Sequence, residues 1–170
     1  DRWWYPLVTR TNVLQGINCG RRNPALFSIV CGTGDFAWNG GQSFGETFVF
    51  GLGSVSAPNG AIVFFGASDV HTNTRHNNAI LEGIVDAMKA SGERSTGPLA
   101  ITGKMDAYRQ FPLERDNGWI QYFVFHVFNV LGDPETQLTI CQPGALDVAY
   151  PPSLTPGSET VDFAVTSSGQ

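Results

Sequence analysis

Two uninterrupted apolar runs in the first half of the chain predict buried β-strands. Residues 25–30 (ALFSIV) and 61–65 (AIVFF) are runs of the kind that a parallel sheet buries on both faces. Between them, Ser43 and Glu46 have the spacing of a capping box, which predicts a helix beginning near Ser43 and accounts for Glu46 without a catalytic role. Strand, helix and strand at this spacing indicate a right-handed βαβ unit.

The second half of the chain carries helical patterns. A helix is predicted from Asn77 or Asn78 to a stop at Ser91-Gly92, because its apolar residues form one stripe: Ile80, Leu81, Ile84, Val85 and Met88. A short helix is expected at residues 103–108, within a loop-rich stretch. Residues 120–131 (IQYFVFHVFNVL) are interpreted as a helix from their length and spacing, although their aromatic residues and valines also suit a strand.

The order of these elements predicts an α/β domain with a mainly parallel sheet, spanning residues 1–141. After Cys141 the sequence becomes rich in proline, and apolar residues then alternate at Val161, Phe163 and Val165. This pattern predicts that residues 142–170 are a linker feeding the first strand or strands of a separate all-β module of the β-sandwich type.

Composition and charge narrow the possible functions. The 170 residues are 42% hydrophobic and 15% charged, which is typical of a globular protein. The formal net charge is −5 and no basic cluster exists beyond Arg21-Arg22, so we expect no nucleic-acid partner. No apolar run reaches the roughly 20 residues that a membrane-spanning helix needs, so no transmembrane segment is expected.

Cys31 is the leading candidate for chemistry, because it follows the first strand and opens a Gly-Thr-Gly turn. Ligands collect beyond the carboxyl ends of parallel strands. There Gly32 and Gly34 are expected to free backbone N–H groups to face a substrate and hold an oxyanion. A small buried thiol is the alternative, and the local pattern does not decide between them. Three cysteines leave one unpaired under any pairing, and a Cys19–Cys141 pair stays open.

A polar loop follows the second predicted strand and should hang over the same sheet edge as Cys31. Two of the three histidines, His71 and His76, lie on it, and His71 is one hypothesis for an in-chain base to Cys31. His126 lies within the apolar 120–131 stretch and is interpreted as a core or boundary residue.

Metal-binding patterns are weak in this sequence. Cys31, His71 and His76 lack the spacing of a zinc motif. Asp69, Asp133 and Glu135 offer oxygen ligands, but no loop of alternating oxygens around a glycine accompanies them, so calcium is a possibility that the sequence does not support. We expect no metal site and no required cofactor.

Four segments in order resemble the gingipain-like cysteine peptidases of the caspase-hemoglobinase superfamily. They are PALFSIVCGTGDF, SFGETF, GAIVFFGAS and HVFNVLGDPETQL, and the resemblance covers residues 3–138. It implies a three-layer αβα sandwich and a cysteine endopeptidase in which Cys31 attacks the scissile carbonyl. It also implies a His-Gly pair that supplies the general base and a glycine N–H, which joins the Cys31 N–H in the oxyanion hole. That pair is not in this sequence and is expected upstream of Asp1.

The resemblance therefore implies that residues 1–141 are the C-terminal part of a catalytic domain whose N-terminal half is a missing partner, and that this chain alone is inactive. It places the substrate contacts after GAS, where Asp69 would suggest basic substrate side chains: Asp69, Val70, His71, Thr72 and Asn73. The tail at 151–169 resembles the start of an immunoglobulin-like module. A secreted or cell-surface bacterial enzyme acting on a protein or peptide substrate is implied. The alternative is a catalytically inactive surface or assembly protein that retains the fold.

Overall fold

The chain divides into two compact units, Asp1–Leu138 and Thr139–Gln170. The computed structural model describes residues 2–4, 7–18, 22–37, 39–50, 59–115, 118–139, 146–149, 153, 157, 160 and 164–167. Cys19 and Cys141 lie outside the described residues, and so does their suggested pairing.

The first unit contains both strands and helices. In chain order its elements are β1 (Arg2–Trp4), β2 (Leu7–Thr9), α1 (Arg10–Gly16), β3 (Ala25–Ser28), α2 (Phe44–Phe50), β4 (Val63–Ala67), α3 (Thr74–Ala90), α4 (Thr96–Gln110), a 3-10 turn (Pro112–Glu114), α5 (Trp119–Tyr122), a π-helical segment (Phe123–Val127) and β5 (Phe128–Gly132). The first two strands pair with each other in a short antiparallel ladder.

The main sheet has the order β3-β4-β5 among the described strands. The first pair is parallel, with Ala25 opposite Val63, and the second is antiparallel, with Val63 opposite Gly132. All five residues of β4 are buried, as expected for a continuous apolar strand at the centre of a sheet. The predicted strands are confirmed, although β3 ends two residues earlier and β4 begins two residues later than the apolar runs do.

Helices cover both faces of this sheet. Adjacent residues of β4 point to opposite faces, so Phe64 packs with α1 and α2 while Phe65 packs with α3 and α4. Helices α3 and α4 pack closely, and a Cβ on Gly103 would lie 2.5 Å from the Ile80 carbonyl oxygen. The result is the expected α/β fold in three layers, with a mixed sheet in its described part.

The capping box predicted before α2 is present. The Ser43 N–H donates to Glu46 Oε2 at 2.8 Å, and the Glu46 N–H donates to Ser43 Oγ at 3.2 Å. Helix α2 begins at Phe44, directly after this cap. Glu46 is therefore used in holding the helix end, as its spacing from Ser43 predicts.

The helix predicted over residues 120–131 is wrong in its second half. The helical backbone ends at Val127, and residues 128–132 form β5 against β4. The aromatic and β-branched residues there pack better on a half-buried sheet than in a helix. Two other helices are longer than expected, since α3 begins at Thr74 and α4 spans fifteen residues rather than 103–108.

The second unit contains two described strands, β6 (Leu146–Ala149) and β7 (Ala164–Ser167). They pair antiparallel, with Leu146 opposite Ser167. Of the alternating residues that predict a strand in the tail, Val165 lies in β7, and Val161 and Phe163 lie outside the described residues.

Candidate functional site

Cys31 lies three residues beyond the end of β3, in a turn that requires glycine on both sides of Thr33. Its thiol is free and exposed. Gly32 has a positive φ of 63°, and a Cβ there would approach Val70 Cγ1 to 3.0 Å. A Cβ on Gly34 would lie 3.0 Å from the carbonyl carbon and oxygen of Gly66. The two glycines therefore let the turn pass close to the end of β4.

Backbone hydrogen bonds tie this turn to the chain after β4. The Gly32 N–H donates to the Asp69 carbonyl and the Gly34 N–H donates to the Ala67 carbonyl, both at 2.8 Å. The expectation that these two N–H groups face a substrate is therefore wrong, because both donate to carbonyls of the chain leaving β4, in the opposite order to the parallel β3–β4 pairing. Among the described residues, no group accepts a hydrogen bond from the Cys31 N–H.

The buried hydroxyl groups of Ser28 and Thr33 hold the turn in place. Thr33 is 1% exposed, and its hydroxyl donates to the Val30 carbonyl at 3.1 Å and lies 2.8 Å from the Ser28 hydroxyl. The Thr33 carbonyl accepts from the Gly45 N–H in the first turn of α2. These contacts hold the backbone on both sides of Cys31 in place, so the position of the residue that carries the thiol is fixed.

The loop between β4 and α3 reaches the thiol directly. The Thr72 hydroxyl oxygen lies 2.8 Å from Cys31 Sγ. The same oxygen accepts from Asn77 Nδ2 at 3.1 Å, and Asn77 Nδ2 also lies 3.4 Å from the Ile29 carbonyl oxygen. Asn77 is buried in the first turn of α3. Hydrogen bonds thus join the loop after β4, the start of α3 and the chain after β3 beside Cys31.

Asp69 organises the start of this loop. Its Oδ1 accepts from the His71 backbone N–H at 2.7 Å and lies 3.0 Å from His71 Nδ1, while its Oδ2 accepts from the Tyr122 hydroxyl at 2.9 Å. These hydrogen bonds lower the pKa of Asp69, the His71 backbone N–H contributing most. The same carboxylate raises the pKa of Tyr122 above its ordinary value.

The other two loop residues differ in what they offer a substrate. Val70 is 63% exposed and lies beside Gly32, the residue after Cys31. Asn73 is the N-cap of α3, and its side-chain oxygen accepts from the Arg75 N–H at 3.1 Å. All five predicted substrate-loop residues therefore follow β4 at the edge where Cys31 lies.

The three histidines do not contact the thiol. The His71 side chain is 81% exposed and turned onto Asp69. His76 is fully buried in α3 rather than on the loop, because the helix begins earlier than the apolar stripe suggested. His126 is exposed, with its ring 5.8 Å from the Tyr122 ring, so its interpretation as a core or boundary residue is wrong. Within the described part of the chain, Thr72 is the side chain that contacts Cys31 Sγ.

His76 belongs to a polar cluster that the sequence did not indicate. Its ring packs between Phe111 and Phe123, with centroids 4.5 and 4.9 Å away, and its Nε2 lies 2.7 Å from Glu114 Oε2. Arg75 bonds the other oxygen of Glu114. Burial lowers the pKa of His76, and the charge of Arg75 adds to the effect. The cluster fastens the start of α3 to the 3-10 turn.

Other classes of site find no support in the described part of the chain. No group of three histidine, cysteine or acidic side chains has the geometry of a metal site there. No described helix is both long and apolar enough to cross a membrane.

Comparison with known protein families gives a match that covers the first unit. The sequence profile of peptidase family C25 matches residues 1–139. No curated protein matches the chain significantly.

Solved structures share the fold at low sequence identity. The Arg specific cysteine proteinase gingipain R (RGPB) superposes with a TM-score of 0.67 at 17% identity, covering 96% of this chain and 37% of that one. The complex of Porphyromonas gingivalis RgpB pro- and mature domains gives 0.61 at 16% identity, with 92% and 36% covered. A structure described only as a protease gives 0.69 at 17% identity, with 91% and 36% covered. The chain thus spans little more than a third of these proteins.

Proposed function

Because this chain belongs to peptidase family C25, we propose that it carries the nucleophile of a cysteine endopeptidase and that Cys31 is that nucleophile. The observation that carries the proposal is the position of Cys31: a free, exposed thiol on a braced turn, 2.8 Å from a hydroxyl of the facing loop. An exposed thiol held by its surroundings suits a nucleophile better than a packing residue.

The reaction needs three groups around the scissile bond. The Cys31 thiolate forms a bond to the carbonyl carbon, and the carbonyl π electrons move onto the oxygen as an oxyanion. Collapse breaks the C–N bond, and the departing amine takes a proton from the general acid. Water then hydrolyses the thioester and restores the thiol. In this chain the Cys31 N–H is free among the described residues to donate to the oxyanion.

The general base belongs to a part of the protein outside these 170 residues. None of the three histidines contacts Cys31, and the Gly32 N–H is already used by Asp69. We therefore assign both the base and a second oxyanion donor to an upstream His-Gly pair in the N-terminal half of the catalytic domain. This half is the partner that residues 1–141 require, and the isolated chain is expected to be inactive.

The loop after β4 is proposed to contact the substrate through Asp69, Val70, His71, Thr72 and Asn73. Val70 and His71 are both exposed, Val70 at 63% and the His71 side chain at 81%. A preference for basic substrate side chains would rest on Asp69. Both of its carboxylate oxygens already have partners in His71 and Tyr122, so a cationic substrate group would have to share them.

The remaining assignments follow from the same family membership. We propose that residues 142–170 are a linker and the first strands of an immunoglobulin-like domain, for which the β6–β7 ladder is the supporting feature. The protein is proposed to be secreted or on the bacterial cell surface. No required cofactor is proposed.

A non-catalytic surface or assembly protein is the second candidate, favoured by the absence of a histidine contact to Cys31 in the described residues. Peptidase assays on the complete protein and on Cys31→Ala and Cys31→Ser variants separate the two. Turnover that both variants abolish, with thermal unfolding unchanged, supports the enzyme. Full-length protein without turnover on a mixed peptide library, or turnover that survives both substitutions, contradicts it.

A further inference from the structure

We propose that Thr72 is a positioning residue for the Cys31 sulfur, oriented by Asn77 so that its hydroxyl donates a hydrogen bond to the thiolate. The inference deepens the proposed function and rests on it for its catalytic consequence. Its direct consequence, a faster reaction of Cys31 with small electrophiles at neutral pH, concerns Cys31 alone and does not require that the protein be a peptidase.

The direction of the hydrogen bonds follows from the groups involved. The Asn77 amide nitrogen carries hydrogens and no acceptor lone pair, so at 3.1 Å it donates to Thr72 Oγ1. A thiolate has no hydrogen to donate, so with the nucleophilic anion the Thr72 hydroxyl is the donor across the 2.8 Å contact to Cys31 Sγ. A thiolate is a far better acceptor than a neutral thiol, so this bond is strongest when the sulfur carries the charge of the nucleophile.

Asn77 is itself held in place, which makes the arrangement specific. Its side chain is 4% exposed, and its Nδ2 also approaches the Ile29 carbonyl, two residues before Cys31. The Asn77 N–H donates to the Asn73 carbonyl at 3.0 Å within the first turn of α3. One side chain thereby sets the distance between the loop that carries Thr72 and the strand end that carries Cys31.

A second role for Thr72 is geometric. Cys31 is exposed, so its side chain has few packing contacts to select one rotamer. The hydrogen bond to Thr72 holds the sulfur on the side of the turn that faces the substrate loop. A fixed nucleophile loses less freedom on reaching the geometry of attack.

The test measures the alkylation rate of Cys31 by iodoacetamide in the complete protein, read by peptide mapping from pH 5 to pH 10. In Thr72→Val, which keeps the shape and removes the hydroxyl, we expect a rate about three- to tenfold lower near pH 7. The difference should vanish or reverse slightly near about pH 10, where thiols are ionised and an anion without a hydrogen bond is the stronger nucleophile. Thr72→Ser should retain the wild-type profile within about twofold.

A variant at the orienting residue guards against a simple packing effect. Asn77→Leu keeps much of the volume and removes the donor, so the profile should move in the same direction as in Thr72→Val while Thr72 is intact. A Thr72→Val profile that superimposes on the wild-type profile overturns the inference. A profile lowered equally at every pH also overturns it, because that result indicates altered access rather than altered ionisation.

Peptidase assays on the same proteins separate this inference from the proposed function. If Cys31→Ala abolishes turnover while the alkylation profile of Thr72→Val is unchanged, the inference fails and the proposed function stands. If the profile shifts while Cys31→Ala leaves turnover intact, the hydrogen bond is real and the proposed function fails. If both hold, turnover in Thr72→Val should fall near pH 7 through kcat/KM and recover toward higher pH.

Discussion

The amide N–H of Gly32 donates a 2.8 Å hydrogen bond to the carbonyl of Asp69. This bond joins the turn after β3 to the loop after β4, so the segment that carries the candidate nucleophile is held against the candidate substrate loop. It also fixes which backbone groups remain for an oxyanion. The Gly32 N–H is used, and the Cys31 N–H has no described acceptor.

Gly32→Ala tests how tightly this joint is packed. The added Cβ would meet Val70 Cγ1 at 3.0 Å on a backbone with φ of 63°, so we expect a loss of about 1–3 kcal/mol in the free energy of unfolding. Gly92→Ala is the matched control, because Gly92 has φ of 69° with nothing within 4 Å of the added Cβ. Urea denaturation compares the two. Equal losses would show that the Val70 contact contributes nothing.

His71→Ala tests the hypothesis of an in-chain base. The His71 ring is exposed and directed at Asp69, so we expect kcat to stay within about threefold of wild type and any effect to appear in KM. Steady-state kinetics on the complete protein provide the measurement. A fall in kcat of about a hundredfold or more would make His71 the base, since general-base catalysis contributes on that scale.

Tyr122→Phe tests the hydrogen bonds to Asp69. Removing the hydroxyl takes away one donor that lowers the pKa of Asp69, so that pKa should move back toward its ordinary value of 3.8. Because the folded pKa is depressed, the ordering that Asp69 gives the loop is complete above that ordinary value and is lost as the pH falls through the folded one. Carboxyl carbon NMR titration follows Asp69 directly. An unchanged titration in Tyr122→Phe would remove Tyr122 from the account.

His76→Phe tests the buried cluster at the start of α3. Burial lowers the pKa of His76 below its ordinary 6.5, so the unfolded chain binds a proton first and stability falls as the pH drops below about 6.5. For one proton the slope approaches about 1.4 kcal/mol per pH unit. Phenylalanine fits between Phe111 and Phe123 and cannot titrate. The unfolding free energy of the His76→Phe variant should therefore vary less between pH 7 and pH 5.5 than that of the wild type. Parallel curves for both proteins would contradict the assignment.

Sequence patterns predict the elements around the site better than its contacts. Local signals are the apolar runs that predict β3 and β4 and the capping box of Ser43 and Glu46. Each of these predictions is confirmed. The strand within residues 120–131 was missed because its pairing with β4 is not local. His76 had a usable signal, since it lies one turn before Ile80 and extends the same apolar stripe.

The contacts that define the site join distant parts of the chain. Cys31 and Thr72 are forty-one residues apart, and their hydrogen bond depends on where the loop after β4 crosses the strand end. The engagement of the Gly32 N–H likewise follows from where the turn after β3 meets the chain after β4 rather than from the residue type. Asn77 carried only a helix-start signal, and no local pattern linked it to Thr72.

We propose that Cys31 is the nucleophile of a peptidase site completed by another part of the protein. The most direct measurement treats the complete protein with an irreversible thiol-directed peptidyl inhibitor and maps the adduct by mass spectrometry. We expect stoichiometric modification of Cys31, loss of turnover in step with it, and no adduct in the Cys31→Ala variant. Modification of Cys19 or Cys141 with Cys31 untouched would contradict the account.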